Sequence, residues 1–521
     1  MRRWEISKFL EKSTVFMQSC YIIIMAVVFP LYMTAGGYSS VGTDKYHFFR
    51  LVTLIFVVVT GILTLLFWLY TGKGISFRFN VTAKAALSFL VIATGAWFFS
   101  SNRSVAWSGA RGWFIGLETI LFLVLIYVFI SQLLLYKDSV WLFFLLGSGI
   151  AFFIGILNRF AIYPFEFERM SPKFITTLGQ INWVAGYFSV MWPIGVGLYI
   201  FSEKKYVRYI GGVYTFLAMC LGIVQGSDSA FISFLAVFFL LLVICLRKWE
   251  KYGASYFEVI IGWCLACQLM RVFRGVFGRF TYGENEISGF LTSSNLSIYI
   301  LVVVLIPYLL MKLEIDYFVK FRERLIHIMI SRIFKKVVIF SPVFIFLAMI
   351  ILIIVNTMST NGIFGLGDSE LFTFNNDWGS GRGLNFHIGT QLFIRMNPFQ
   401  KLIGVGPDCF PVFLNSFPEL LALSNRRYGH EALMNAHNEI LTALVNVGIL
   451  GTVAFYGIFI TYFVRYMKKG EMDAVYYIPV ICVFSYLLHN IVSFGQILNL
   501  PFIFMVMGIG ESKFRKNVDK S

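Results

Sequence analysis

Hydrophobic positions along the chain fall in long unbroken runs, not in the alternations of half-buried strands or the one-sided stripes of soluble helices. Fourteen runs reach or approach the length that carries a helix across a bilayer, near 14–34, 49–70, 82–100, 113–136, 139–158, 181–201, 206–225, 229–246, 254–270, 291–311, 336–356, 442–465, 475–493 and 497–511. Helices are the expected form, because hydrocarbon offers no partner to an unpaired backbone N–H or C=O. One long stretch of mixed polarity interrupts the pattern. It divides the chain into an N-terminal bundle of about 11 spans (1–356), a large segment (357–435), and C-terminal spans with a polar tail (436–521). The pattern predicts an all-α, polytopic transmembrane helical bundle of 12–14 spans with one large extracytoplasmic loop.

Composition agrees with that reading. At 58% hydrophobic, 18% aromatic and 13% charged residues over 521 positions, the chain is not a soluble globular protein. Its net charge of +16 does not imply nucleic acid, since the basic residues are scattered between apolar runs and form no basic domain. They are topology signals. Placing the amino terminus in the cytoplasm puts most of them inside, among them Lys312, Lys320, Arg322, Arg324, Arg332, Lys335 and Lys336. Both termini are then cytoplasmic and 357–435 is outside. The first run follows a basic leader (Arg2, Arg3, Lys8, Lys12) without a small-residue cleavage site, and reads as a retained anchor. Seven cysteines, all but Cys409 in apolar runs, imply no disulfide framework. Cys264 and Cys267 have half the spacing of a metal knuckle but no second pair, and read as buried packing.

The cations change type across the bilayer: lysine dominates the inner loops and arginine the outer ones. Lysine anchors topology equally well, so the outer arginines point to a planar fork gripping phosphate, or to pairing with headgroups and loop carboxylates. Arg111 stands at the mouth of the fourth run. Arg159, Glu166, Glu168, Arg169 and Lys173 occupy the next outer loop, which leads through Gly179 to Trp183 into a helix with an expected kink at Pro193 and Gly195. Gln225 to Ser229 form a tight turn whose Asp228 or a serine is expected to cap the following helix. Arg271, Arg274 and Arg279 end the ninth run, the first two sharing a helical face, where they snorkel or bind an anion.

The richest chemistry lies at the seam between the large segment and the last spans, in Asn435-Ala436-His437-Asn438-Glu439. A histidine at the water edge of a bundle can be reached by a lipid-borne and a water-borne substrate together. Gly381-Arg382-Gly383 lies 55 residues upstream, Leu402 to Pro407 lies between, and Leu384–Arg395 has the pattern of a short amphipathic helix on the surface. His489-Asn490, at the outer end of the thirteenth run, either joins this cleft or is an interfacial structural histidine.

Ser380-Gly381-Arg382-Gly383, Leu402-Ile403-Gly404-Val405-Gly406-Pro407 with Phe410, Ala436-His437-Asn438 and Val447-Gly448-Ile449-Leu450-Gly451 follow in an order that resembles the O-antigen ligase and O-antigen polymerase superfamily. Weaker matches are Ala106 to Gly112 and Asn182 to Pro193. The resemblance implies a membrane glycosyltransferase of the C type in a bacterial cytoplasmic membrane. Its donor would be a glycan on undecaprenyl diphosphate, and its acceptor a glycan, lipid, protein or wall polymer. It implies no cofactor and no metal, in keeping with an outer loop at 35–48 whose single acidic residue is Asp44. The family's essential arginine and histidine carry over to Arg382 and His437. The family's Ser-Arg pair is Ser227-Asp228-Ser229 here, and a tryptophan after the loop arginine is Phe386.

In this reading Arg382 holds the charge developing on a departing diphosphate, with Arg111, Arg159, Arg271 and Arg274 as substrate-binding helpers. His437 takes the proton of the acceptor hydroxyl, Asn438 orients it or the sugar, and His489 lies near the substrate. No carboxylate pair suited to retention stands out, so the displacement is expected to invert. Ligase and polymerase remain open, and the competing class is a lipid-linked oligosaccharide flippase or other transporter. A transporter should show internal repeats and mid-membrane charges, which the sequence lacks.

Overall fold

The computed structural model describes residues 3–72, 77–168, 171, 173–278, 285–312, 319–359, 363, 366, 372–429 and 433–518. Arg2, Arg169 and Arg279 lie outside the described residues. The protein is an all-α polytopic helical bundle. Its only strands among the described residues are Phe174–Ile175 and Gly179–Gln180, paired antiparallel. Nine described helices are long and apolar enough to cross a membrane, a tenth candidate is the pair Glu286–Ser293 and Leu296–Lys312 bent by 61°, and Leu117–Leu133, Ser229–Cys245 and Ala474–His489 are shorter apolar helices. The last run lies on the Leu500–Val518 helix, which carries Glu511, Lys513 and Arg515.

The second run begins earlier than its hydrophobicity predicts. The helix spans Gly37–Thr71, so Asp44 and Lys45 are helical and not in an open loop. The reason is internal solvation. The Lys45 ammonium is buried and donates to the carbonyls of Phe29 and Pro30 at 2.5 and 3.0 Å, where the first helix runs out into extended backbone at Tyr32. Asp44 accepts from the Thr34 and Ser40 hydroxyls at 2.5 and 2.6 Å. A polar stretch that reads as a loop is thereby paid for within the helix.

The Ile181–Phe201 helix is almost wholly buried and continues through Pro193 as one element. Trp192 on it donates to the Ser233 hydroxyl at 2.7 Å, and Ser233 meets Ser485 at 2.6 Å, which fixes three helices in register deep in the bundle. The Arg332–Met358 helix is the opposite case. Its most apolar window has no buried residue, as expected of a helix surrounded by lipid tails.

The described part of the large segment contains the helices Trp378–Arg395, Pro398–Ile403, Phe410–Leu414 and Pro418–Tyr428. The helix expected over 384–395 starts at Trp378 and therefore contains Arg382, and it is no loose surface element. Leu384, Ile388 and Leu392, one apolar stripe at helical spacing, are buried in a second core with Phe410, Leu414, Ala436 and Val445. This core docks on the bundle through a joint of glycines. The Glu439–Lys469 helix breaks at Gly448, whose φ is +67°, and a Cβ there would stand 2.4 Å from the Leu402 carbonyl oxygen. At the break the carbonyls of Val445 and Asn446 accept from the N–H groups of Val405 and Gly406, at 3.0 Å each. The two glycine-rich sequence elements thus make one contact that side chains would hold apart.

Candidate functional site

His437 sits in the turn that starts the Glu439–Lys469 helix, in left-handed conformation with φ +49°. A non-glycine residue is held there only when its surroundings over-determine it, and here they do. The His437 N–H donates to the Asn435 side chain at 2.9 Å, and the Ala436 N–H to the Thr442 hydroxyl at 3.1 Å. Asn438 caps the helix by accepting from the Leu441 N–H at 2.9 Å, while its amide donates to the Ile491 carbonyl at 2.8 Å. The Glu439 N–H donates to the Asn490 carbonyl at 3.0 Å, and the Glu439 carboxylate accepts from the Gly495 N–H. The helix start is clamped by three hydrogen bonds to the loop that follows Ala474–His489. From that loop Phe494 stands edge-on to the imidazole, with ring centroids 5.1 Å apart.

Arg382 is held by the same loop from the other side. Its Nε donates to the Val492 carbonyl at 3.1 Å and its Nη1 to the Gly379 carbonyl at 2.9 Å. Gly381, at φ +93°, passes beside the Arg427 guanidinium, which pairs with Asp377 at 2.5 Å. The two side chains singled out in sequence are therefore brought together on the 490–495 loop, 55 residues apart in the chain but anchored two residues apart on it.

Their electrostatics are coupled. Burial, and then the Arg382 charge, lower His437 to about 4, so the imidazole is neutral at ordinary pH. Burial lowers Arg382 as well, and Asp228 counters that by favouring the cation. Asp228 is itself raised by burial and held back by Arg382. The expectation that Asp228 caps the helix needs correction: it occupies the N-cap position of Ser229–Cys245 but makes no capping hydrogen bond. Its carboxylate accepts from the Asn285 amide at 2.8 Å. The serines beside it build a polar floor. Ser227 donates to Asn182 at 2.7 Å and meets Ser229 at 2.9 Å, and Ser229 meets His489 Nε2 at 3.1 Å. His489 is buried and bonded through Nδ1 to Asn490 at 2.8 Å.

The remaining arginines lie elsewhere in the hydrogen-bond network. Arg111 is exposed in the turn before Leu117–Leu133. Arg159 is buried and donates to the Gln225 carbonyl. Arg271 donates to Ser294 and Asn295, and Arg274 to Gly289 and Thr292, so both tie the end of the Trp249–Phe277 helix to the bent pair that follows. The bonds given by Arg159, Arg271 and Arg274 run to neutral oxygens of the protein. Arg382, Asn438 and His489 are the predicted residues that the structure gathers around His437.

Sequence reasoning missed Asp408 and Phe494, and gave Glu439 no role. Asp408 accepts from the N–H groups of Ala110 and Ile115 at 2.7 and 3.0 Å, tying the large segment to the turn that carries Arg111. Burial pushes its carboxyl up to about 7, against those two hydrogen bonds and with Glu439 adding to the rise. A cavity of about 60 Å³ opens between Asp408, Glu439, Asn435, Trp113 and Phe494, beneath the His437 turn. The available signal was a carboxylate opening an apolar span. Among the described residues no group of three His, Cys, Asp or Glu could hold a metal ion.

The arrangement offers a neutral imidazole as proton acceptor and, on the same loop, a guanidinium with part of its edge pre-oriented by carbonyls. In comparisons with known proteins, no family model matches the chain and no curated protein matches it.

Proposed function

We propose that this multi-pass membrane protein is a metal-independent, inverting glycosyltransferase of the O-antigen ligase or polymerase type. It moves a glycan from undecaprenyl diphosphate to an acceptor hydroxyl at the outer face of a bacterial cytoplasmic membrane, with both termini cytoplasmic. The observation that carries this reading is the anchoring of Arg382 and His437 on one loop, where the Arg382 charge helps to lower the imidazole.

The chemistry follows from those two groups. The acceptor hydroxyl gives its proton to the His437 imidazole as its oxygen attacks the anomeric carbon. The bond from that carbon to the diphosphate oxygen breaks, and the lipid diphosphate leaves with the electron pair. Arg382 holds the charge gathering on the leaving group, in surroundings dry enough to make that interaction strong. The same anion offsets the Arg382 charge that depresses His437, so donor binding makes the imidazole a better base at the step that needs one. General-base assistance of this kind is worth about 10² to 10⁴ in rate.

The test gives purified full-length protein a lipid-diphosphate-linked glycan and analyses both products. Free lipid diphosphate with a glycan bearing a new reducing-end partner supports transfer, and that partner separates ligase from polymerase. Donor recovered intact but moved across a vesicle bilayer supports the transporter reading instead.

A further inference from the structure

A second cavity, with charged walls, has no part in the chemistry above. It encloses about 570 Å³ and lies at the opposite end of the bundle. The first turn of the Ile181–Phe201 helix carries Asn182, bonded to Ser227 near His489, and the helix ends at the cavity wall with Phe201 and Ser202. The Ala474–His489 segment starts at the cavity and ends at His489. A 21-residue helix separates the two sites by about 30 Å.

Five cations line this cavity, Lys204, Arg208, Lys248, Lys251 and Lys513, against the acids Asp138, Glu203 and Asp473. Two of the acids are committed, Asp138 to Lys204 and Asp473 to Lys513, at 2.8 Å each. That leaves Arg208, Lys248 and Lys251 facing the Glu203 carboxylate, with Arg208 Nε on the Tyr199 carbonyl at 3.0 Å and Lys248 Nζ on the Glu471 carbonyl at 3.1 Å.

The helix starts add to the imbalance. Lys204 and Lys248 stand at the N-cap positions of Lys205–Val224 and Trp249–Phe277, and neither helix has a side-chain cap. A cation at a helix N-terminus opposes the positive end of the backbone dipole. Topology alone calls for lysines somewhere on this face, but not at two uncapped helix starts around one cavity. Asp138 already answers Lys204, and an anion supplied from outside would answer the Lys248 end together with Glu250. The wall also carries unspent donors. Tyr252 and Ser255, three residues apart on one helical face, are 6% and 8% exposed and line the cavity, and among the described residues neither hydroxyl has a hydrogen-bond partner. Hydroxyls that open on a cavity beside excess cations are donors a phosphate can use.

We infer that this cavity is a binding site for a phosphate-bearing anion, held by Arg208, Lys248 and Lys251 with the Tyr252 and Ser255 hydroxyls. The anion is either the headgroup of an acidic phospholipid entering from the bilayer or a soluble phosphate compound. On the topology proposed above it reaches the protein from the cytosol side, but the site does not depend on the transfer reading.

The test follows the unfolding temperature of the full-length protein in a phosphate-free detergent. One arm titrates sodium pyrophosphate against sodium chloride of equal ionic strength. The other titrates dioctanoyl phosphatidylglycerol against dioctanoylglycerol. A saturable rise in one arm, with half-saturation at least tenfold weaker in both Lys251→Gln and Ser255→Ala, is the expected result, and the responding arm identifies the source. Lys251 is exposed, so its replacement leaves the fold intact. No saturable rise in either arm, or equal responses in wild type and both variants, overturns the inference.

Discussion

The imidazole of His437 meets the ring of Phe494 edge to face, with centroids 5.1 Å apart and planes at 86°. That contact shields one side of the only histidine in the left-handed turn and helps to keep it neutral, with a value lowered to about 4 by burial and by Arg382. Phe494→Ala admits water and should move the His437 titration, followed by NMR, back toward its ordinary value near 6.5. Stability shows the sign. A histidine lowered in the folded state binds more protons when unfolded between pH 4 and 6.5, so its contribution is lost as pH falls through that window. The unfolding temperature of Phe494→Ala should therefore change less across that window than that of the native protein.

Arg382 uses Nε and Nη1 to grip the Val492 and Gly379 carbonyls. Arg382→Lys keeps the charge and loses the fork, so it separates electrostatics from geometry. Glycan transfer should fall at least about tenfold, in keeping with the loss of a charge-assisted hydrogen bond of roughly 1.5–3 kcal/mol. Protein abundance in the membrane should stay the same.

Gly448 lets the large segment approach the bundle. Gly448→Ala places a methyl group 2.4 Å from the Leu402 carbonyl oxygen and 2.5 Å from the Gly404 nitrogen, at a φ that alanine resists. The cost should be about 2–4 kcal/mol, enough to part the joint. Limited proteolysis between 397 and 435 should speed up in the variant, while the spans remain inserted.

Asp408 titrates with the opposite sign to His437. Its carboxyl is raised to about 7 from an ordinary value of 3.8, so the folded protein binds the extra proton between those limits and is destabilised as pH rises through them. Asp408→Asn keeps an oxygen for the Ala110 and Ile115 N–H groups and removes that penalty. The variant should be more stable at pH 7, by at most about 4 kcal/mol at about 1.4 kcal/mol per unit. Chemical denaturation at pH 5 and pH 7 measures the difference.

The spanning helices were legible because a run of apolar residues long enough to cross a bilayer has few other uses. The start of Gly37–Thr71 was not, since Asp44 and Lys45 read as loop until the carbonyls of Phe29 and Pro30 are seen to receive the lysine. The second core was half legible: Leu384, Ile388 and Leu392 show a helical stripe, but Gly381 and Gly383 hide that the helix begins at Trp378. At the site, the order of short motifs pointed to Arg382 and His437. The loop that joins them could not be foreseen, because Val492 acts through its carbonyl and Phe494 through a return of the chain from a distant helix. Arg159, Arg271 and Arg274 show the limit from the other side. An arginine at a helix end looks the same in sequence whether it meets a phosphate or a carbonyl, and here the bonds run to Gln225, Ser294 and Gly289 among others.

The central claim is that Arg382 and His437 act on one leaving diphosphate and one arriving hydroxyl. The most direct measurement is release of free lipid diphosphate from a lipid-linked glycan donor by the purified native protein, His437→Ala and Arg382→Ala, with folding of each verified by its unfolding temperature. Steady release by the native protein, reduced at least about 10²-fold in both folded variants, is the predicted result. Equal release by all three, or none by the native protein in the presence of acceptor, would contradict it.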